Sequence, residues 1–283
     1  MDVALVGCGH IGQHHARVIA KHPGCRLVAL IDAVPERAHA LAARVNAEAR
    51  DSVPDGVEAV VIATPTTTHV ELAGPHLRQG RWCLVEKPLA AAAHAARTLA
   101  SPRLVVGHVE RFNPAVRALG AVRPRFIEAR RMSPPSGRGA DVDVIFDLMV
   151  HDLDLVLHWF EGEVTGFDAV EVADEGRLVD TATVRLRTSD GLVANLVASR
   201  VAATPERVVR VFERGQTTVL DLRAGVATRD GQVMAHDDPR DGLTAQWDAF
   251  VSTTRGERSP AVDFDAGYRA VALAERISNA IRS

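Results

Sequence analysis

The feature that most constrains this chain is Gly7-Cys8-Gly9-His10-Ile11-Gly12, which follows the apolar run Val3–Val6 and opens a segment of helical pattern. Three glycines at this spacing have a mechanical meaning in that setting. The first permits a tight turn, the second lets the backbone approach a pyrophosphate, and the third lets the helix pack closely on the strand. The first amides of the helix then face the phosphates. Asp32 closes the second apolar run, Leu27–Ile31, where a carboxylate accepts hydrogen bonds from an adenosine ribose and repels a 2′-phosphate. Strand-ending glycines alone would not call for Asp32. The loop therefore predicts a dinucleotide site built on Gly7, Gly9, His10, Ile11, Gly12 and Asp32 for NAD, with Arg37 keeping NADP as the lesser option.

Around this loop, short apolar runs alternate with amphipathic segments, the pattern of βα units feeding a parallel sheet. Strands are expected at Val3–Val6, Leu27–Ile31, Ala59–Ile62, Cys83–Val85 and Leu104–Val106, with crossover helices at Pro35–Asn46, Val70–Gln79 and Ala91–Leu99. Beyond about residue 120 the pattern becomes one of alternating strands, as in Thr181-Ala182-Thr183-Val184-Arg185-Leu186-Arg187. Hairpin turns are expected at Ser189-Asp190-Gly191, Arg214-Gly215-Gln216 and Asp230-Gly231. A helix is expected at Ile145–Phe160 and another at Ala266–Ile281. The fold class is α/β: a Rossmann dinucleotide-binding domain over 1–118, then an α/β domain over 119–283 with a mostly antiparallel sheet. The last helix, about 266–281, is one that can pack back on the first domain.

The composition narrows the partners. A net charge of -3 gives no positive field to draw the chain to nucleic acid or anionic lipid. No run of about 18 apolar residues suggests a membrane span, and Met1–Val6 lacks the pattern of a secretory leader. Cys8, Cys25 and Cys83 have no CxxC spacing, which speaks against a disulfide framework. The expectation is a cytoplasmic protein without a metal, the adjacent His14 and His15 pointing to different sides of a helix.

Lys87 lies just past an apolar strand in Glu86-Lys87-Pro88, on the edge where open α/β sheets bind ligands. A solvated lysine is the bland alternative. With the glycine loop, Ala63-Thr64-Pro65…His69 and the segment Asp147…His151…Asp154 followed by Trp159 and Gly162, the chain resembles the Gfo/Idh/MocA oxidoreductase family over nearly its whole length. The resemblance implies a Rossmann domain, an α/β domain whose open sheet forms a homodimer or homotetramer contact, and an active site between the domains. It implies Lys87, Asp147 and His151 as the catalytic set and puts Thr64, Pro65, His69, Glu86 and Lys87 on the cofactor. Independently, Asp147, His151 and Asp154 fall along one side of a helix.

The segment Gly107-His108-Val109-Glu110-Arg111-Phe112-Asn113-Pro114-Ala115 and the lead-in Asp141-Val142-Asp143-Val144 resemble the members of that family that act on UDP-N-acetylhexosamines. The resemblance implies a nucleotide-sugar substrate held by Lys87, His108, Glu110, Arg111, Asn113, Arg131, Ser133, Arg138, Asp147 and His151. The expected reaction is NAD-dependent oxidation of a secondary hydroxyl, the 3-hydroxyl of UDP-N-acetylglucosamine. His151 is expected as the base and Lys87 as the group that stabilises the reacting oxygen, although the two could exchange roles. Another sugar, a UDP-hexosaminuronic acid or a polyol is the close alternative. A non-catalytic, cofactor-binding regulator is the alternative from another class.

Overall fold

The computed structural model describes residues 1–135, 142–160, 162–172, 178–236 and 238–282. Its contacts divide the chain into two compact units, Met1–His108 with Leu243–Tyr268, and Val109–Gly242 with Arg269–Ser283. The division falls at 108/109, ahead of the position 118 read from the sequence, and a C-terminal segment returns to the first unit.

The first unit contains β1 (Asp2–Val6), α1 (His10–Lys21), β2 (Arg26–Ile31), α2 (Pro35–Val45), β3 (Glu48–Ala49), β4 (Ala59–Ile62), α3 (His69–Arg78), β5 (Trp82–Glu86), α4 (Ala93–Arg97) and β6 (Leu104–Gly107). The sheet order is β3-β2-β1-β4-β5-β6, and every pair is parallel. Strands such as Ala59-Val60-Val61-Ile62 are apolar at every position because helices cover both faces of such a sheet. The order reverses between β1 and β4, and the crevice beyond their C-terminal ends is where open α/β sheets take ligands.

The second unit contains α5 (Pro114–Leu119), β7 (Phe126–Met132), a π turn at Ile145–Met149 leading into α6 (Val150–Trp159), then β8 (Val164–Val172), β9 (Thr181–Thr188), β10 (Val193–Ser199), β11 (Glu206–Glu213), β12 (Gln216–Asp221), β13 (Val226–Arg229) and β14 (Gln232–Val233). These eight strands are ordered β14-β13-β12-β11-β7-β10-β9-β8. All pair antiparallel except β7 with β10, which are parallel. The expected turns join β9 to β10, β11 to β12 and β13 to β14. Alternation decides the faces: Ala182, Val184 and Leu186 are buried, whereas Thr183, Arg185 and Arg187 point to solvent.

Two helices complete the chain, α7 (Gly242–Thr254) and α8 (Phe264–Arg282). The sequence reading passed over α7, whose Ala245, Gln246, Trp247, Ala249, Phe250 and Val251 are all buried. Burial on so many sides erases the amphipathic period on which that reading relied. Trp247 and Phe250 join Val3, Leu5, Ile19, Leu30 and Val61 in one core. Just before α8, the Val106 amide donates to Val262 O at 2.8 Å and Val105 bridges Asp263. That contact covers backbone groups that β6 would otherwise leave open.

Candidate active site

The glycine loop is shaped by backbone contact. Gly7 has φ +98°, and a Cβ on it would lie 2.4 Å from Ala63 O. A Cβ on Gly12 would lie 1.9 Å from Gly7 O. Both glycines are therefore demanded by the close packing of β1, α1 and the turn after β4. Gly9 differs, since a Cβ there meets nothing within 4 Å, and its bare backbone borders open space at the start of α1. At the end of β2, Asp32 accepts the Cys8 amide at 2.7 Å on one oxygen and the Val34 amide at 2.9 Å on the other. These bonds fix the carboxylate and leave each oxygen further acceptor capacity. A cleft of about 480 Å³ beside the loop is lined by Gly9, His10, Gln13, Arg37 and Arg44. Burial, with Asp32 alongside, pushes the Cys8 thiol up to about 12, so it is no thiolate at neutral pH.

Past β4, Thr64 accepts a hydrogen bond from the Thr68 hydroxyl at 2.7 Å. His69 is buried between two backbone carbonyls, with Nδ1 3.0 Å from Pro88 O and Nε2 2.9 Å from Thr64 O. Burial pushes its imidazole toward the neutral form, which has one N–H for the two carbonyls. That N–H donates to one of the two carbonyls, and the buried ring sits between the Thr64-Pro65 turn and the Lys87-Pro88 segment. Glu86 is buried at the end of β5 with Oε1 2.8 Å from His15 Nε2, and Lys87 beside it is half-buried. Composition offers a sign of Lys87 that the sequence reading did not use. Of 33 lysines and arginines, the only lysines are Lys21 and Lys87. In so arginine-rich a chain a lysine stands out, because its ammonium is a compact, adjustable charge that guanidinium cannot imitate.

In the second unit the expected continuous helix begins as a π turn containing Asp147. Such turns occur often at functional sites. Asp143 secures it by accepting the Ile145 and Phe146 amides, both at 3.1 Å, and the Ser278 hydroxyl at 2.6 Å. The sequence reading gave Asp143 no role, although an aspartate just ahead of a helix is a capping signal. Asp147, Leu148 and His151 are half-buried while Asp152 and Asp154 are buried. The side carrying the expected polar stripe therefore presents Asp147 and His151 but not Asp154. Arg111 grips Asp154 with two bonds of 2.8 and 2.6 Å.

Several residues expected on the substrate are held by one another. Arg131, 2% exposed, binds Asp152 through Nε and Nη2 at 3.0 and 2.8 Å, and Glu110 through Nη1 at 2.8 Å. Asn113 donates to Glu110 at 3.0 Å and to Leu222 O at 2.8 Å, and caps α5 by accepting the Ala115 amide. Burial pushes Asp152 up. At Glu110 burial is outweighed by Arg131, which holds that carboxyl below its usual range. These pairings tie the Glu110–Asn113 segment and β7 to α6. Ser133 donates to Pro134 O at 3.1 Å, His108 is buried after β6, and Arg138 lies outside the described residues.

Two family models match the chain. One described as the oxidoreductase family with NAD-binding Rossmann fold covers residues 1–102, and the GFO/IDH/MocA C-terminal domain covers residues 90–220. A UDP-N-acetylglucosamine 3-dehydrogenase of Acidithiobacillus ferrooxidans is 34% identical, over 100% of this chain and 98% of that protein. The chain belongs to the Gfo/Idh/MocA oxidoreductase family. A solved structure of that enzyme superposes with a TM-score of 0.91 at 35% identity, covering 99% of this chain and 97% of the other. An inositol 2-dehydrogenase of Rhizobium meliloti is 33% identical over 70% of this chain and 68% of its own length.

As a member of this family the chain is an NAD-dependent oxidoreductase acting on CH–OH groups. Its own residues fit the dinucleotide: Gly9 leaves its backbone open to a pyrophosphate, and Asp32 is held ready at the end of β2. The two kinds of glycine should separate in experiment. Gly7→Ala is expected to lower stability by about 1–3 kcal/mol through strain and clash, read by denaturant unfolding. Gly9→Ala should unfold like the wild type yet bind NAD at least about tenfold more weakly, read by calorimetric titration. Unchanged NAD affinity in Gly9→Ala would remove the loop from the cofactor site.

Proposed function

We propose that the chain oxidises a secondary hydroxyl of a nucleotide sugar, the 3-hydroxyl of UDP-N-acetylglucosamine, to the 3-keto sugar. The reading is carried by the full-length match to the Acidithiobacillus ferrooxidans enzyme named for that reaction. A polyol is the second reading, favoured by the inositol dehydrogenase that matches over 70% of the chain.

Lys87, Asp147 and His151 are the proposed catalytic set. Bound NAD supplies the hydride acceptor. His151 takes the hydroxyl proton as the C–H bond gives up its hydride, so a carbonyl forms and two electrons leave the sugar. Lys87 hydrogen-bonds the reacting oxygen and stabilises its developing negative charge. Asp147 orients the sugar or the imidazole from the π turn. The test follows absorbance of reduced nicotinamide across UDP-N-acetylglucosamine, UDP-hexosaminuronic acids and inositols, with wild type and His151→Ala in parallel. UDP-N-acetylglucosamine should give the highest kcat/KM, and His151→Ala should lower it by about a hundredfold or more. Preference for an inositol would replace the substrate, and full turnover in His151→Ala would remove the base.

The open face of the eight-stranded sheet is proposed to carry a second copy of the chain. Arg130, Arg185 and Arg210 share with Glu128 and Asp168 a groove of about 420 Å³ there. A two-fold axis can set such mixed charges against their opposites. The three cysteines are free thiols, which fits the proposed cytoplasmic location; no helix among the described residues is long and apolar enough to cross a membrane. Light scattering should give the mass of two or four protomers, and Arg185→Glu should shift it toward one. A wild-type monomer at micromolar concentration would contradict the contact.

A further inference from the structure

Glu86 is a buried carboxylate that hydride transfer does not itself require, and its neighbours come from distant parts of the first unit. His15 of α1 is 0% exposed, as is Trp247 of α7. Trp247 Nε1 lies 3.0 Å from His15 Nδ1. An indole N–H only donates, so Nδ1 is the accepting nitrogen and the imidazole proton sits on Nε2. That N–H donates to Glu86 Oε1 at 2.8 Å. The other oxygen, Oε2, accepts the backbone amide of Lys87 at 3.2 Å. On the β6 side there is no room for a side chain: a Cβ on Gly107 would lie 2.8 Å from Glu86 Oε1. The next residue after Lys87 is anchored too, since Pro88 O faces His69.

We propose that Trp247, His15 and Glu86 form a buried positioning line for Lys87, in which the indole fixes the histidine tautomer, the histidine grips one carboxylate oxygen and the other oxygen holds the Lys87 amide. The inference rests on the reading of Lys87 as a catalytic group and adds what holds it. The titratable groups around the Glu86 carboxylate are His15 from α1, His69 from α3 and Lys87 itself. Burial pushes Glu86 up, but the hydrogen bond from His15 and the positive charge of Lys87 outweigh it and hold the carboxyl below its usual range. A retained negative charge beside Lys87 favours the ammonium. Lys87 then donates to the reacting oxygen, and proton removal falls to His151. Trp247, His15 and Glu86 act through Lys87 and need not touch the substrate.

The two lysines make this directly measurable, because amine labelling of the cofactor-free protein gives, besides the N-terminal Met1 peptide, one peptide for each lysine, with exposed Lys21 as the internal reference. Acylation needs the neutral amine. At one fixed pH, His15→Met is expected to raise the labelling rate of Lys87 relative to Lys21 by about tenfold, as loss of one pKa unit of charge stabilisation would. His15→Gln, which keeps an N–H donor toward Glu86, should stay within about twofold of wild type. With saturating cofactor and substrate, kcat of His15→Met should fall by about tenfold or more while KM for NAD moves less than about twofold. Should His15→Met not fold, Trp247→Phe removes one N–H and keeps the ring. Nitrogen-15 resonances of His15 should then report the Nε2–H tautomer in wild type and a mixture in that variant. Lys87→Met run in parallel separates the two layers. If it keeps full turnover, the catalytic reading of Lys87 fails. If it is inactive while His15→Met leaves labelling and kcat unchanged, or wild-type His15 carries its proton on Nδ1, the positioning line is overturned and the catalytic reading stands.

Discussion

The ligand edge of the first unit depends on one steric constraint, the approach of backbone to backbone where β1 turns into α1. Gly12 sits over Gly7 O, and Gly7 sits over Ala63 O, so the strand, the helix and the turn after β4 converge with no side chain between them. Only this closeness lets the start of α1 point its amides outward over the sheet edge while Asp32 and the Thr64-Pro65 turn flank it. The same edge carries Glu86 and Lys87 at the end of β5, the fifth strand in the six-stranded order. Steric economy at two glycines thus precedes every chemical feature of that edge.

Buried charge does the corresponding work farther along the chain. A carboxylate taken from water is costly unless it is paired and hydrogen-bonded, and each buried one here has partners that also fix a segment. Glu86 ties α1 to the Lys87 backbone. In the second unit, Asp152 and Glu110 share Arg131, and Asp154 holds Arg111. Asp152 and Asp154 flank His151 on α6, so the helix that presents His151 is clamped by two arginines through its buried side. Removing Arg131 would leave buried Asp152 without its guanidinium, at a cost of about 3–5 kcal/mol.

The fold was legible because its signals are local and periodic. Apolar runs of a two-sided parallel sheet, the glycine spacing and the Gly-containing hairpin turns all sit within short windows. What stayed hidden depends on contacts between distant residues. No window of sequence tells that His15 meets Glu86 and Trp247, or that Arg131, an alternating-strand arginine by pattern, is buried against Asp152. The buried α7 lacks the one-sided periodicity that betrays a surface helix. The π turn at Ile145–Met149 reads as ordinary helix because its residues suit either geometry. The candidate site was legible as a set of residue types, and its division into presented and holding groups was not. Asp147 and His151 are presented, whereas Glu110, Asn113, Arg131 and Asp154 hold.

The first unit is an NAD-binding Rossmann domain, and the glycine loop with Asp32 is the proposed seat of the pyrophosphate and the adenosine ribose. Calorimetric titration of NAD and NADP against wild type and Asp32→Ala tests it most directly. NAD should bind wild type at least about tenfold more tightly than NADP, and Asp32→Ala should lose most of that preference by weakening NAD. Equal affinity for the two dinucleotides in wild type, or an Asp32→Ala variant that binds NAD as tightly as wild type does, would contradict it.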